Sequence, residues 1–143
     1  MKVKIKRIDK SLPLPEYQTG GSVAFDLYAR EDISIPGQSL ALVPTNLIIT
    51  VPAGYMLVAV TRSSTPQRKG LLVPHGIGII DQDYHGPEDE VLLQVYNFTS
   101  DEVKVARGER IGQATFVKID LAEWQELDEP AKSESRGGFG STE

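Results

Sequence analysis

Two carboxylates and a tyrosine follow an apolar stretch in Gly76-Ile77-Gly78-Ile79-Ile80-Asp81-Gln82-Asp83-Tyr84-His85-Gly86. Spaced glycines in a strand often mark places where a ligand or another backbone comes close, and a positioned carboxylate is a competent base at neutral pH. A second group, Arg62-Ser63-Ser64, follows the strand candidate Tyr55–Thr61. A guanidinium offers a rigid two-pronged donor, and two hydroxyls beside it suit phosphate oxygens. Asp26 is a lone acid in the otherwise apolar Ser22-Val23-Ala24-Phe25-Asp26-Leu27-Tyr28-Ala29. The chain ends on Ser135-Arg136-Gly137-Gly138-Phe139-Gly140-Ser141-Thr142-Glu143, which cannot pack a core but carries a flat ring, a cation and glycine amides able to approach an anion. Taken singly, each feature has an ordinary reading at least as good. Asp26 reads as a satisfied structural acid, Arg62 as a surface charge, the glycines as bulge residues and the tail as a frayed end.

Whatever these residues do, short strands must position them. Val3, Ile5 and Ile8 interleave with Lys2, Lys4, Lys6 and Arg7, the pattern of a half-buried strand. Pro13 and Pro15 make Ser11–Tyr17 an extended loop closed by Gly20-Gly21. Strand candidates then recur at Ala24–Ala29, Ser39–Val43, Leu47–Val51, Tyr55–Thr61, Gly70–Val73, Ile77–Ile80, Val91–Tyr96, Glu102–Val105 and Arg110–Ile119. Turn signals separate them at Pro36-Gly37, Pro52-Ala53-Gly54, His85-Gly86-Pro87 and Arg107-Gly108. Short strands so punctuated, without a long amphipathic helix, predict an all-β sandwich or barrel. Helical turns are expected at Ser63–Lys69 and at Leu121–Leu127. Residues 1–127 read as one β domain, and residues 128–143, polar and broken by Pro130, as a mobile arm.

Composition narrows the function classes. A chain of 143 residues is one domain's worth, and 40% hydrophobic with 24% charged residues excludes a wholly disordered chain. The absence of cysteine removes disulfide scaffolds, thiolate zinc sites and thiol nucleophiles. A net charge of −5 argues against a nucleic-acid polymer as partner, while leaving room for one small polyanion at a local cluster of donors. No apolar run approaches the roughly 18 residues of a membrane span, and Met1–Arg7 lacks the apolar core of a signal peptide. The expectation is a cytoplasmic protein with no membrane partner.

In their order along the chain, five segments resemble the trimeric deoxyuridine triphosphatase (dUTPase, dUTP diphosphatase) family. The first is Ala24-Phe25-Asp26-Leu27-Tyr28-Ala29, and the second is Arg62-Ser63-Ser64, with Ser64 where Gly is common. The third and most specific is Gly78-Ile79-Ile80-Asp81-Gln82-Asp83-Tyr84-His85-Gly86. The fourth is Gly108-Glu109-Arg110-Ile111-Gly112-Gln113, and the fifth is Gly137-Gly138-Phe139-Gly140-Ser141-Thr142.

The resemblance implies a distorted jelly-roll-like β-barrel (the β-clip fold) that assembles as a homotrimer with active sites shared between subunits. It implies hydrolysis of dUTP to dUMP and pyrophosphate, which limits uracil incorporation into DNA and supplies dUMP for thymidylate synthesis. Such a reaction needs an activated water, charge neutralisation and an aligned leaving group. Asp81 takes the part of general base in that scheme. Arg62, Ser63, Ser64 and Gln113 hold phosphate oxygens, and Mg2+ bridges the phosphates and is held by Asp26 through water. The hairpin of His75, Gly78, Ile79 and Ile80 reads uracil, and Tyr84 packs under the deoxyribose, where a ribose 2′-hydroxyl would clash. Phe139 stacks on the base within an arm that also brings Arg136, Gly140, Ser141 and Thr142 over the nucleotide.

Three positions depart from the family's pattern. His75 stands where many members have Asn, and imidazole cannot present an amide's donor and acceptor together. Arg136 lies closer to Phe139 than is usual, and Pro87-Glu88-Asp89 looks inserted after the third motif. The acids Glu88-Asp89-Glu90 read as a solvated loop rather than as ligands. The alternatives are a dCTP deaminase, which shares the fold and the Arg-Ser-Ser string, and a non-catalytic nucleotide-binding trimer. A deaminase needs a glutamate where Gln94 stands, and an amide cannot shuttle the proton. A binding module has no use for a poised base at Asp81.

Overall fold

Antiparallel pairing organises residues 5–118 of the chain in this computed structural model, which describes residues 1–138. The elements in order are β1 (Ile5–Arg7), β2 (Phe25–Tyr28), β3 (Ile33–Ile35), β4 (Leu40–Pro44), β5 (Leu47–Ile49), β6 (Tyr55–Thr61), α1 (Thr65–Lys69), β7 (Leu71–Leu72), β8 (Gly78–Ile80), β9 (Leu92–Asn97), β10 (Val103–Val105) and β11 (Arg110–Lys118). A four-stranded sheet runs β2-β11-β6-β8 and a three-stranded sheet runs β4-β9-β7. Two further pairs, β1-β5 and β10-β3, complete the set. Among the described residues no helix is long and apolar enough to cross a membrane.

The core sits between the sheets because the strands alternate with period two. In β9, Leu93 and Val95 point inward, and in β6 Leu57 and Ala59 do the same. Phe25 and Leu27 of β2 and Ala114 of β11 join them in one buried cluster. The all-β expectation holds, and each predicted strand falls on an observed one, with ends displaced by a few residues at most. The strand β3 was not anticipated. It has only Ile33, Ser34 and Ile35 between an acidic pair and a proline, and it forms by pairing with β10.

The helical turn expected at Ser63–Lys69 is present as α1. Pro66 lies in its first turn, where a missing N–H costs nothing, and Gly70 ends it at φ 67°, donating its N–H to Pro66. The second expected turn, at Leu121–Leu127, does not form. That stretch carries no helix, and Leu121 and Trp124 are 83% and 93% exposed. A short helix is held by packing its apolar face, and among the described residues none covers these side chains. The N-terminal strand is likewise less buried than its alternation predicts. Ile5 is 37% exposed and, with Met1, Val3, Tyr17, Phe25 and Phe116, lines an apolar cavity of about 240 Å3.

Strand β11 contains the irregularity that matters for the site. Its register against β2 pairs Gln113 with Asp26, Gly112 with Leu27 and then Arg110 with Tyr28, so Ile111 is an extra residue. Such a bulge reverses the alternation beyond it. Without it Arg110 would lie on the core-facing side of β11. With it, Arg110 shares the outer face with Tyr28, Asp26 and Gln113.

Candidate active site

The outer face of the four-stranded sheet gathers three of the sequence motifs. Asp26 on β2 is 5% exposed, and its carboxylate meets two guanidinium groups. Its Oδ1 is 3.2 Å from Arg62 Nε, and its Oδ2 is 3.2 Å from Arg110 Nη1. Arg62 comes from the end of β6 and Arg110 from the start of β11, so the acid ties together strands from three parts of the chain. Gln113, opposite Asp26 in the register, lies on the same face. Burial, followed by the charge of Asp26, pushes the Tyr28 hydroxyl above its ordinary pKa, so it remains a neutral donor at physiological pH.

Beyond the two arginines opens a cleft of about 220 Å3 lined by Arg62, Ser64, Thr65, Arg68, Lys69, Glu109 and Arg110. Four of these seven residues are cationic and one is acidic. Lys69 is engaged with Glu109, Nζ to Oε1 at 2.9 Å. Ser64 is half-buried at the start of α1, and Ser63 is exposed beside it. Arginine side chains anchored at one end by a buried carboxylate keep their remaining N–H groups in fixed directions, which suits an anion with several oxygens. The sequence motif Gly108–Gln113 does not single out Arg110 as a contact residue. The bulge that aims it is invisible to simple alternation.

The third motif lies elsewhere on the same sheet. Strand β8 pairs with β6 through Gly78 opposite Ala59 and Ile80 opposite Leu57. Asp81 therefore leaves β8 at the Tyr55 end of β6, whereas Arg62 lies beyond its Thr61 end. Six residues of strand separate the two levels, about 20 Å at 3.3 Å per residue. Asp81 and His75 are exposed, Ile79 is 57% exposed, and Gly78 sits so close to β6 that a Cβ there would lie 3.3 Å from the Ala59 carbonyl oxygen. The turn after β8 is pinned by Gln82, whose amide donates to the Tyr55 carbonyl at 3.0 Å. Tyr84, 38% exposed, donates its hydroxyl to the Glu90 carbonyl at 3.1 Å.

The structure thus brings Asp26, Arg62, Ser64 and Gln113 to one region and His75, Gly78, Ile79, Ile80, Asp81 and Tyr84 to another. Arg136 is exposed in the strandless segment after β11 and meets neither group. Phe139, Gly140, Ser141 and Thr142 lie outside the described residues. One expectation is corrected. Glu90 does not belong to a solvated loop: it is 8% exposed, and its carboxylate grips Arg30 through Nε at 2.9 Å and Nη2 at 3.1 Å. This pairing holds the Arg30 pKa above its ordinary value. The run of three acids looks uniformly polar in sequence, but only its last member is buried, against a half-buried arginine remote along the chain. Asp89 does accept from the Gly86 N–H and so closes the turn locally.

Comparison with known proteins gives one consistent answer. The dUTPase family model matches residues 10–143. The deoxyuridine 5′-triphosphate nucleotidohydrolase of Dictyoglomus turgidum is 38% identical over 99% of this chain and 98% of its own. Among solved structures, the dUTPase from Streptococcus mutans superposes with TM-score 0.77 at 29% identity, covering 84% of this chain and 98% of that one. The Staphylococcus bacteriophage 80alpha dUTPase, solved with dUPNHPP, shares the fold at TM-score 0.85 and 22% identity, over 99% of this chain and 98% of its own.

Proposed function

The chain belongs to the dUTPase family, and from that premise we propose that it hydrolyses dUTP to dUMP and pyrophosphate at sites built from more than one copy of the chain. The observation that carries this reading is the placement of Asp81 and the Asp26–Arg62–Arg110 cluster at opposite ends of β6. A general base and a phosphate seat about 20 Å apart along one sheet cannot serve the same α-phosphate, whereas a base from one subunit and a seat from its neighbour can. A closed trimer supplies three such junctions. The setting is cytoplasmic.

Asp81 accepts a proton from the water that attacks the α-phosphorus. The new P–O bond forms as the bond to the bridging oxygen breaks, and pyrophosphate leaves with the electron pair. Arg62 and Arg110, braced by Asp26, face the phosphate oxygens already oriented, so little reorganisation is needed as charge shifts to the leaving group. Ser63, Ser64 and Gln113 add neutral donors. The hairpin of His75, Gly78, Ile79 and Ile80 presents backbone groups to the uracil edge, and Tyr84 lies against the sugar. Residues 128–143 act as an arm, with Arg136 and Phe139, that covers the nucleotide and excludes bulk water.

Mg2+ carried on the triphosphate supplies charge neutralisation and alignment of the leaving group. The donor set fits an ion held that way. Among the described residues no three acids or histidines cluster as ligands, and both Asp26 oxygens already accept from guanidinium groups. Asp26 would therefore hold it through water, beside the substrate's own oxygens.

The test is pyrophosphate release across dUTP, dCTP, dTTP and UTP, with magnesium and with excess chelator. Rapid release from dUTP alone, slowed by chelator, is expected. Equal release from dCTP, or none from any of the four, would contradict the reading.

A further inference from the structure

Linked to the Asp81–Tyr84 turn through the Tyr84 hydroxyl is an ion pair that no step above uses, a buried Glu90 carboxylate and a half-buried Arg30. The Glu90 carboxylate accepts from Arg30, and its Oε1 also accepts the backbone N–H of Asn46 at 2.7 Å. Asn46 is itself 2% exposed and adopts φ 70° in the turn between β4 and β5. Its side chain clasps Asp9 at both backbone groups, donating to the carbonyl at 2.9 Å and accepting from the N–H at 2.6 Å. One carboxylate therefore draws together the exit of β2, the β4–β5 turn, the N-terminal loop and the segment before β9. A charge so buried and so fully paired resists displacement, because moving it strands groups on every side.

What this carboxylate fixes most directly is its own backbone. The Glu90 carbonyl is the acceptor for the Tyr84 hydroxyl, and the next N–H, that of Val91, donates to the Leu47 carbonyl at 2.8 Å. From Asp81 to Val91 there is no strand. The tethered hydroxyl is therefore an anchor for the Tyr84 ring that no ladder supplies.

We propose that Glu90 and Arg30 are positioning residues for sugar recognition: their ion pair holds the Glu90 carbonyl where it orients Tyr84, and so sets the surface that accepts a 2′-deoxyribose and rejects a ribose. The proposal rests on the dUTP reading above. Its chemistry is that of a charged, two-pronged contact. Glu90→Gln keeps the volume and one acceptor for Asn46 but loses the charge and one accepting oxygen, and Arg30→Lys keeps the charge but loses the fork.

The test measures kcat and KM separately for dUTP and UTP on the unaltered protein and on Glu90→Gln, Arg30→Lys, Tyr84→Phe and the Glu90→Gln/Tyr84→Phe double variant, with a melting temperature for each. Glu90→Gln and Tyr84→Phe should each narrow the preference for dUTP over UTP by about tenfold, the effect of one hydrogen bond. The double variant should narrow it no further than Tyr84→Phe, since both act through one hydroxyl. A Glu90→Gln protein that melts lower yet keeps the original preference would overturn the proposal, as would an unchanged preference in Tyr84→Phe. Should Glu90→Gln fail to fold, Arg30→Lys decides: a narrowed preference supports the proposal and an unchanged one overturns it. An unaltered protein inactive on dUTP would instead overturn the dUTP reading itself.

Discussion

Arg110 lies 3.2 Å from Asp26, Nη1 to Oδ2, only because one extra residue in β11 turns it to the outer face of the sheet. Straight alternation from Gln113 would bury the guanidinium in the core, where an unpaired charge is intolerable. The bulge at Ile111 thus brings Arg110 beside Arg62 as half of the anion seat proposed above, with Asp26 paired to both. Bulges are common beside active sites for this reason: they re-aim one side chain without altering the rest of the ladder.

Next to the bulge, Gly112 leaves no room for a side chain. A Cβ at that position would stand 2.7 Å from Leu93 Cδ2 and 2.9 Å from the Val60 carbonyl oxygen. Gly112→Ala should cost roughly 1–3 kcal/mol through overpacking and should raise KM for dUTP as Arg110 shifts. Urea denaturation and steady-state kinetics on one preparation check both effects. An unaltered midpoint would mean that β11 can relax around the methyl group.

Asp81 is exposed and free to meet a water in a completed site. Asp81→Asn should retain nucleotide binding and lose turnover by roughly 10²–10⁴-fold, the usual contribution of a general base. Calorimetric titration with a non-hydrolysable analogue separates binding from turnover. Near-normal turnover would move the base elsewhere, with Asp83 the next candidate.

Truncation after Pro130 removes Arg136 and Phe139 but no strand among the described residues. The melting temperature should barely move, because the described part of that segment is exposed throughout. Activity should fall sharply as the nucleotide loses its cover and the base its stacking partner. Phe139→Ala should weaken binding by roughly 1–3 kcal/mol, the worth of base–aromatic stacking. Unchanged kinetics in the truncated protein would reduce residues 131–143 to an ordinary terminus.

Much of this was legible in the residues, and the exceptions share a cause. Apart from β3, which forms only by pairing with β10, the strands from Phe25 to Lys118 announce themselves because alternation and turn residues are local signals. Asp81 and Tyr84 stand out only because the third motif occurs in order with four other segments, and taken singly it has an ordinary reading at least as good. What stayed hidden depends on partners distant in the chain. Glu90 looks like its solvated neighbours until Arg30 is folded against it, 60 residues away. Arg110 looks like a strand-end cation until the register against β2 reveals the extra residue. Leu121–Leu127 has apolar side chains at helical spacing, but they are exposed among the described residues, so propensity alone does not hold a helix there.

The central claim is that Asp81 and the Asp26–Arg62–Arg110 seat act together only across a subunit boundary, and hybrid assembly tests it directly. Asp81→Asn and Arg62→Ala chains, each expected to lose nearly all activity alone, would be unfolded together, refolded at equal concentration and assayed for pyrophosphate release from dUTP. Sedimentation should place the product near three times the 15.7 kDa chain mass. A site that draws its base from one subunit and its phosphate seat from the next is intact in about one junction in four of a random closed trimer. The mixture should therefore recover about a quarter of the unaltered activity. A mixture no more active than its two parents would mean that a single chain must supply both groups, and would contradict the shared site.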